Sequence, residues 1–556
     1  MSRPAAIAVA FVLGAALYLP SLGHGYVWDD RTLIAENRFL GDAREIGRNL
    51  TSDFFRRSAE PSEIGHWRPV VTASYMIDRA TGAGSPRAFH LTNALLHGAA
   101  AALLALLALS LGLPVPAALA AAALFATHPV HVEAVSWISG RTDLLCGVFA
   151  LVAMTIDARG GSRAGTALAT FLAVGSKEMA VAVPIATALR ALLLPREDEL
   201  PFRPVRRAFR AAGPPFAAIA LYAVVRFGVL GIVPRAPAAA GAGRIALFWT
   251  WWSAFAEYAR ALAWPVSLSI VSPVTLVPSP VSLRVVSGVV LFAVLLTAAW
   301  RLRARLPVVS WGLFGFLVSL LPLTNFLVPV RAIASVAFPW AERFLFVPSI
   351  FLVIAIGALS MRPRARPWAL VAIGVAACLL GARTLARERV WSSQRSLFEA
   401  AVREHPEDVP ARVNLAAALL DAGKTKEADD LLSGAVAASP GDPIAHYLLG
   451  NAKRQSADLG AAEAEYRRAL SIRPVYPQAL INLGLVLAAG KDLDGAEAAF
   501  RRADEQLGGA PETKVDLAIV MRLRGRTAEA AALYREALAL DPAFAPAREG
   551  LASLSP

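Results

Sequence analysis

An adjacent pair of carboxylates, Asp29 and Asp30, follows the first apolar segment of this chain in the run Gly25-Tyr26-Val27-Trp28-Asp29-Asp30. Two such acids at the rim of a bilayer are costly to desolvate and repel each other. They suit a site that handles a cation, a divalent metal such as Mg or Mn, or a substrate that gives up a proton. Other ionisable groups are scarce enough in the first four hundred or so residues for each to be informative. Six of the eight histidines occur by residue 131, and Lys177 is the only lysine before Lys424.

His66-Trp67-Arg68-Pro69 closes the long loop after the acid pair. His90, Asn93 and His97 lie at i, i+3 and i+7 and share one helix face. They form either a polar stripe hydrogen-bonded to other helices or part of a site. His128-Pro129-Val130-His131-Val132-Glu133 offers two imidazoles and a carboxylate, donors that suit a divalent metal. The proline and the lack of an i,i+4 histidine pair argue against a zinc protease, and hydrogen-bonded support of a loop is the plainer reading. Arg141 and Asp143 follow. Lys177-Glu178 reads as a rim ion pair, or as a lysine on a phosphate held by Glu178. Glu342-Arg343 opens a late apolar segment, where Arg343 is either a snorkelling side chain or a planar fork for two phosphate oxygens.

Together these groups fit transfer from a lipid-phosphate donor to an acceptor hydroxyl: a carboxylate takes the proton and cations stabilise the departing phosphate. Asp30 is the first candidate base and Asp29 the second. Arg141, Lys177 and Arg343 are candidate contacts to the donor phosphate. Arg68, His90, Asn93, His128, His131, Glu133, Glu178 and Glu342 are candidates for supporting roles. A divalent metal on Asp29 and Asp30 stays open.

The elements that must position these residues are mostly membrane helices. Over 556 residues the hydrophobic content is 56%, and the mean hydropathy is +0.51. The apolar runs are too long and too many for soluble cores. Eleven spans are expected, near 5–22, 90–111, 114–127, 143–157, 164–176, 179–194, 212–231, 284–300, 307–327, 343–360 and 368–383. The first run lacks an Ala-x-Ala cleavage pattern and reads as a retained helix. Residues 245–264, rich in Trp and Phe, read as an interfacial or re-entrant helix. The net charge of +13 is concentrated in short loops: Arg203, Arg206, Arg207 and Arg210; Arg301, Arg303 and Arg305; Arg362, Arg364 and Arg366. This is a positive-inside signal and not a nucleic-acid patch. It places the N-terminus and those loops in the cytoplasm, and the 23–89 loop and everything after the last span on the other side. Cys146 and Cys378 both fall in apolar runs and imply no disulfide framework.

From about residue 388 the chain turns polar and acquires a 34-residue period. Pro406, Pro440, Pro474 and Pro542 share one phase. Ala428, Ala462, Ala496 and Ala530 share another, and Phe398, Leu432, Tyr466, Phe500 and Tyr534 a third. This is a tetratricopeptide array, in which alanines let paired helices approach and the large residues fill the layer between repeats. The expected organisation is a membrane domain over 1–386, a linker and half repeat over 387–408, and four repeats with a capping helix over 409–556. A concave repeat surface suits capture of a protein or peptide.

The runs Tyr26-Val27-Trp28-Asp29-Asp30, Arg68-Pro69, Phe89-His90-Leu91-Thr92-Asn93 with His97, His128-Pro129-Val130-His131-Val132-Glu133-Ala134-Val135 with Gly140-Arg141-Thr142-Asp143, Lys177-Glu178, and Ala341-Glu342-Arg343-Phe344-Leu345-Phe346-Val347-Pro348-Ser349, in this order and followed by repeats, resemble the transmembrane and tetratricopeptide-repeat O-mannosyltransferases. The resemblance covers nearly the whole chain and points to a bacterial relative. It implies an all-α GT-C fold, a polyprenyl-phosphate sugar donor and inverting transfer of mannose or another hexose to a Ser or Thr hydroxyl outside the cytoplasm. Asp29 or Asp30 would be the general base or metal-contacting acid. The expected location is a bacterial inner membrane with the repeats in the periplasm. A rival reading is a non-catalytic, membrane-anchored repeat scaffold for envelope assembly. A transporter is disfavoured, because the membrane half shows no internal repeat.

Overall fold

The structure is a computed structural model of the 556-residue chain. It describes all residues except 57–64, 197–202, 234–243, 272–276, 278, 325–339, 362–365 and 555–556. Arg362, Arg364, the side chain of Arg366 and the end of the expected 307–327 span therefore lie outside the described residues. Among those described, regular structure is helical throughout, with no strand. The chain divides into two compact units, Met1–Leu397 and Phe398–Pro556. The division falls inside the segment expected as linker and half repeat.

In the first unit every one of the eleven apolar segments contains helix. Seven of the helical segments are long and apolar enough to cross a membrane, or eight if the pair Val115–Thr127 and Pro129–Ser136, bent by 52°, is one span. The shortfall against eleven has a plain cause. Arg163–Val174 and Val183–Leu193 have only 12 and 11 residues, and Pro307–Leu323 is likewise a shorter apolar helix. At 1.5 Å per residue the first two fall well short of the roughly 30 Å hydrocarbon layer. The aromatic stretch forms the continuous helix Arg244–Ala263, whose Trp251, Trp252 and Phe255 pack on Phe292 of Leu283–Leu302.

Close helix crossings rest on small residues. A Cβ at Gly98 would stand 2.8 Å from the Phe11 carbonyl, and one at Gly147 would stand 2.4 Å from the Phe346 ring. The first crossing brings Arg3–Ala16 against Pro86–Ser110. The second brings Phe346–Leu359 against Arg141–Ala158. Small residues permit such approaches where no hydrophobic effect drives helices together.

The second unit is a run of antiparallel helix pairs: Val409–Asp421 with Thr425–Ala438, Pro443–Gln455 with Leu459–Ile472, Pro477–Ala489 with Leu493–Leu507, and Pro511–Leu523 with Thr527–Leu540, closed by Ala545–Ala552. The four alanines of the second helices are fully buried, as is Leu432, with Tyr466, Phe500 and Tyr534 also in the core. Asp408 and Asp442, one period apart, cap the first helices of successive pairs, and Asp458 and Asp492 cap second helices. Glycine recurs where the large residue needs room: a Cβ at Gly484 would lie 2.8 Å from the Phe500 ring. Gly484→Val should therefore overpack this layer and cost about 1–3 kcal/mol, read as a lowered unfolding midpoint of the full chain.

Candidate functional site

The candidate residues sit in short turns at one end of the first unit's helices. Pro129–His131, Ile138–Gly140, Glu178–Ala182 and Glu342–Leu345 are 3-10 turns, each leading into a helix. Lys177 and Ala341, just before two of these turns, are both extended. They hold Lys177, Glu178, Glu342 and Arg343 at the entrances to apolar helices.

The acid pair follows a left-handed backbone turn. Trp28 has φ +53°, a left-handed conformation rare for a bulky residue and worth about 1–3 kcal/mol of strain. It is held there by its N–H donating to Gln394 Oε1 at 2.6 Å and by stacking on Trp137 at 5.3 Å. Beyond it, Asp30 is fully buried. Its Oδ1 accepts from Ser139 N–H at 2.8 Å and Ser139 Oγ at 2.6 Å, and its Oδ2 from Val27 N–H at 3.2 Å. Burial pushes this carboxyl up to about 7 against those hydrogen bonds. Asp30 thus ties the loop to the Ile138–Gly140 turn. Asp30→Ala should leave these donors unpaired and cost about 1–3 kcal/mol of stability, measured by thermal unfolding in detergent.

Asp29 faces the other way, into the fields of Arg343 and Arg68. Burial raises its carboxyl above the ordinary aspartate value, and the two guanidiniums pull it partly back. Arg343 is paired with Glu133 through Nη1, and its N–H donates to Glu133 Oε2 at 2.9 Å. Its guanidinium lies over the Trp137 ring at 5.1 Å. Arg68 reaches Glu178 at 3.8 Å, while its buried Nε has no hydrogen-bond partner among the described residues. Lys177 donates to Asp143 Oδ2 at 2.5 Å. Burial lowers its ammonium, with Arg343 and Arg68 adding to the effect against the pull of Asp143. Glu178 collects His66 at 3.5 Å and Arg226 at 3.1 Å. Burial opposes its ionisation, but the His66 hydrogen bond and the Arg68 and Arg226 guanidiniums hold it well below the usual carboxylate range.

The site is therefore a chain of charges: Arg68 and Arg343 act on Asp29, Lys177 lies in the field of both, and Glu178, Glu133 and Asp143 hold these three cations. A buried guanidinium Nε without a partner is an open donor for an anionic oxygen.

Arg141, Glu342, Asn93, His90, His128 and His131 are engaged elsewhere. Arg141 is fully buried and saturated: it pairs with Asp78 at 2.6 Å, donates to Asn93 Oδ1 at 2.7 Å and Phe89 O at 2.8 Å, and lies over the Tyr75 ring. Its fork is already occupied by Asp78, Asn93 and Phe89, which argues against a contact with the donor phosphate. Glu342 is buried in a pair with Arg387 at 2.7 Å. Asn93 also holds the carbonyls of Val135 and Trp137. The histidines are hydrogen-bonded supports: His90 to Gly25 O, His97 to Ala126 O, His128 to Leu262 O, and His131 to Phe125 O and Ser349 Oγ.

Among the described residues, no group of three or more His, Cys, Asp or Glu is placed to hold a metal ion. Asp30 has both oxygens engaged, Oδ1 by Ser139 and Oδ2 by the Val27 N–H.

Arg226 was missed by the sequence reading. It lies in the π-turn Val224–Val229 inside an apolar segment, is fully buried, and donates to Gly65 O at 2.5 Å besides Glu178. A lone arginine in an apolar run was the available signal. Asp78 was missed likewise.

Tetratricopeptide-repeat family models match residues 395–452 and 447–511. The chain is 42% identical over 134 residues to Protein O-mannosyl-transferase Tmtc2 of Drosophila melanogaster, a match covering 24% of this chain and 14% of that protein. It is 24% identical over 453 residues to Protein O-mannosyl-transferase F38B6.6 of Caenorhabditis elegans, covering 76% of this chain and 61% of that one. The chain thus spans less than a fifth of the insect relative and under two thirds of the nematode one. Among solved structures, a thermophilic TPR protein of Thermus thermophilus is 28% identical over 33% of this chain and 95% of that chain, with a TM-score of 0.26. The chain thus carries a tetratricopeptide-repeat array behind its apolar helices and is similar, over part of its length, to proteins named as O-mannosyl-transferases.

Proposed function

We propose that this chain transfers mannose or another hexose from a polyprenyl-phosphate donor to a Ser or Thr hydroxyl of a protein held by the repeats. The observation that carries this reading is Asp29: a carboxylate with no hydrogen-bonded partner among the described residues, set between Arg68 and Arg343. In the proposed step the acceptor oxygen bonds to the sugar's anomeric carbon as its proton passes to Asp29. The bond from that carbon to the phosphate oxygen breaks, and the polyprenyl phosphate leaves with the electron pair. Charge builds on the phosphate, where Arg68, Arg343 and Lys177 stabilise it. Asp29 replaces Asp30 as the proposed base, because the oxygens of Asp30 are committed to Ser139 and Val27. An apolar cavity of about 380 Å³ beside His128 and His131, lined by Leu124, Leu262, Val353 and Leu379, suits the lipid tail.

The positive-inside pattern supports a cytoplasmic N-terminus in a bacterial inner membrane, with Asp29 and the repeats on the opposite side. Mass spectrometry of cell-envelope proteins from cells with and without the chain tests the function. Loss of hexose from Ser and Thr on deletion is expected, whereas unchanged glycopeptides would favour the non-catalytic scaffold.

A base must be ionised to act. Because Asp29 is raised above the ordinary aspartate value, the acid limb of the rate–pH profile should lie above that of a free carboxylate, with activity gained as pH rises through it. Arg343→Ala removes a charge that lowers Asp29, so the limb should move to still higher pH. A limb that stays put would remove Asp29 from the base role.

A further inference from the structure

The Asp29 carboxylate has no hydrogen bond among the described residues to fix its direction, so its place is set by the backbone that carries it. That backbone is a tight turn: Asp30 N–H donates to Val27 O at 3.1 Å, and Leu33 N–H to Asp29 O at 2.9 Å. The turn passes through Trp28 at φ +53°, a conformation that a bulky residue keeps only where its surroundings impose it.

The constraint comes from the last residues of the first unit. Arg389–Ser392 is a 3-10 turn and Gln394–Glu404 a helix. At their junction Ser393 and Ser396 cap each other. Ser396 N–H donates to Ser393 Oγ and Ser393 N–H to Ser396 Oγ, both at 3.1 Å. The cap makes Gln394 the first residue of the helix, and the fully buried Leu397 pins the same turn of helix. Two hydrogen bonds and a ring stack run from this segment to the strained turn. Gln394 Oε1 accepts from Trp28 N–H at 2.6 Å, across 366 positions of sequence. Ser392 O accepts from Gly25 N–H at 3.2 Å. Trp391, fully buried, stacks on Trp137 at 6.3 Å, and Trp137 stacks on Trp28 at 5.3 Å. All of these residues belong to the first unit.

Of these contacts, the one from Gln394 bears on the strained torsion itself. The angle φ is rotation about the N–Cα bond, so an acceptor that fixes the direction of the Trp28 N–H fixes one side of that rotation. Asp29 is the next residue along.

We propose that Gln394 is a positioning residue for Asp29: by holding the Trp28 N–H it keeps the turn left-handed and the carboxylate in place. Its effect on rate rests on the sugar-transfer reading, whereas its hold on the turn does not.

The test pairs steady-state turnover with hydrogen–deuterium exchange, both on the full chain in detergent. Gln394→Leu removes the accepting oxygen at similar size. It should lower kcat about ten- to a hundredfold, leave KM for donor and peptide within about twofold, and speed exchange across residues 25–33. Gln394→Glu keeps an oxygen that can accept from Trp28 N–H and should restore both readings. Gln394→Met, of similar length and with only a weakly accepting sulfur, replaces the leucine variant if that one folds poorly. Wild-type exchange or wild-type kcat in a folded variant lacking the oxygen would overturn the proposal. So would a raised KM with kcat unchanged, the mark of a substrate contact. A wild-type chain that transfers no sugar would count against the sugar-transfer reading alone, and the exchange result would then decide whether Gln394 holds the turn.

Discussion

Asp29→Asn should lower the turnover of sugar transfer by about a hundred- to ten-thousand-fold while leaving the chain folded and its affinity for the donor nearly unchanged. The carboxylate has no hydrogen-bonded partner among the described residues, so the amide leaves no buried donor orphaned. Arg68 and Arg343, which face it, keep their other partners Glu178 and Glu133. What disappears is the ability to take the acceptor's proton. The parallel variant Asp30→Asn separates the two acids. It disturbs the hydrogen bonds with Ser139 and Val27, so its effect should appear as lowered stability with substantial turnover per folded molecule. Initial rates with saturating donor and peptide, normalised to folded protein, read both. Full turnover by Asp29→Asn with loss in Asp30→Asn would reverse the assignment.

Arg141→Ala should cost about 3–5 kcal/mol, because it strands Asp78 as a buried charge and empties a packed space between Tyr75 and Phe89. That is a large part of the roughly 5–15 kcal/mol that separates a folded domain from its unfolded chain. Arg141→Lys should fare poorly too, since an ammonium cannot span Asp78, Asn93 and Phe89 at once. Thermal unfolding in detergent is the readout. A stable Arg141→Lys with a raised donor KM would restore Arg141 as a phosphate contact.

The repeat array was the most legible part of the chain. Its 34-residue period fixes both faces of each helix, and local packing between neighbours needs nothing from distant sequence. The apolar segments were legible for the same reason, although Arg163–Val174 and Val183–Leu193 are shorter than expected because turns at Lys177–Ala182 consume their ends. The candidate site was visible as a set of rare charges: Arg343 acts on Asp29, pairs with Glu133 and lies in the field of Lys177. Their pairing was not visible, since Glu133 and Arg343 are 210 residues apart. Nor was the division of labour between Asp29 and Asp30. It follows from contacts with Ser139, 109 residues away, and from the fields of Arg68 and Arg343, which no local pattern shows. Arg141 looked like a free fork because its partner Asp78 lies in a helix of ordinary appearance.

The full-length chain, purified in detergent and given polyprenyl-phosphate mannose labelled in the sugar together with a Ser/Thr-rich peptide, tests the central claim most directly. The expected result is label on a peptide hydroxyl with one polyprenyl phosphate released per sugar, and no label with Asp29→Asn. An intact donor and an unlabelled peptide in the presence of folded wild-type chain would contradict it.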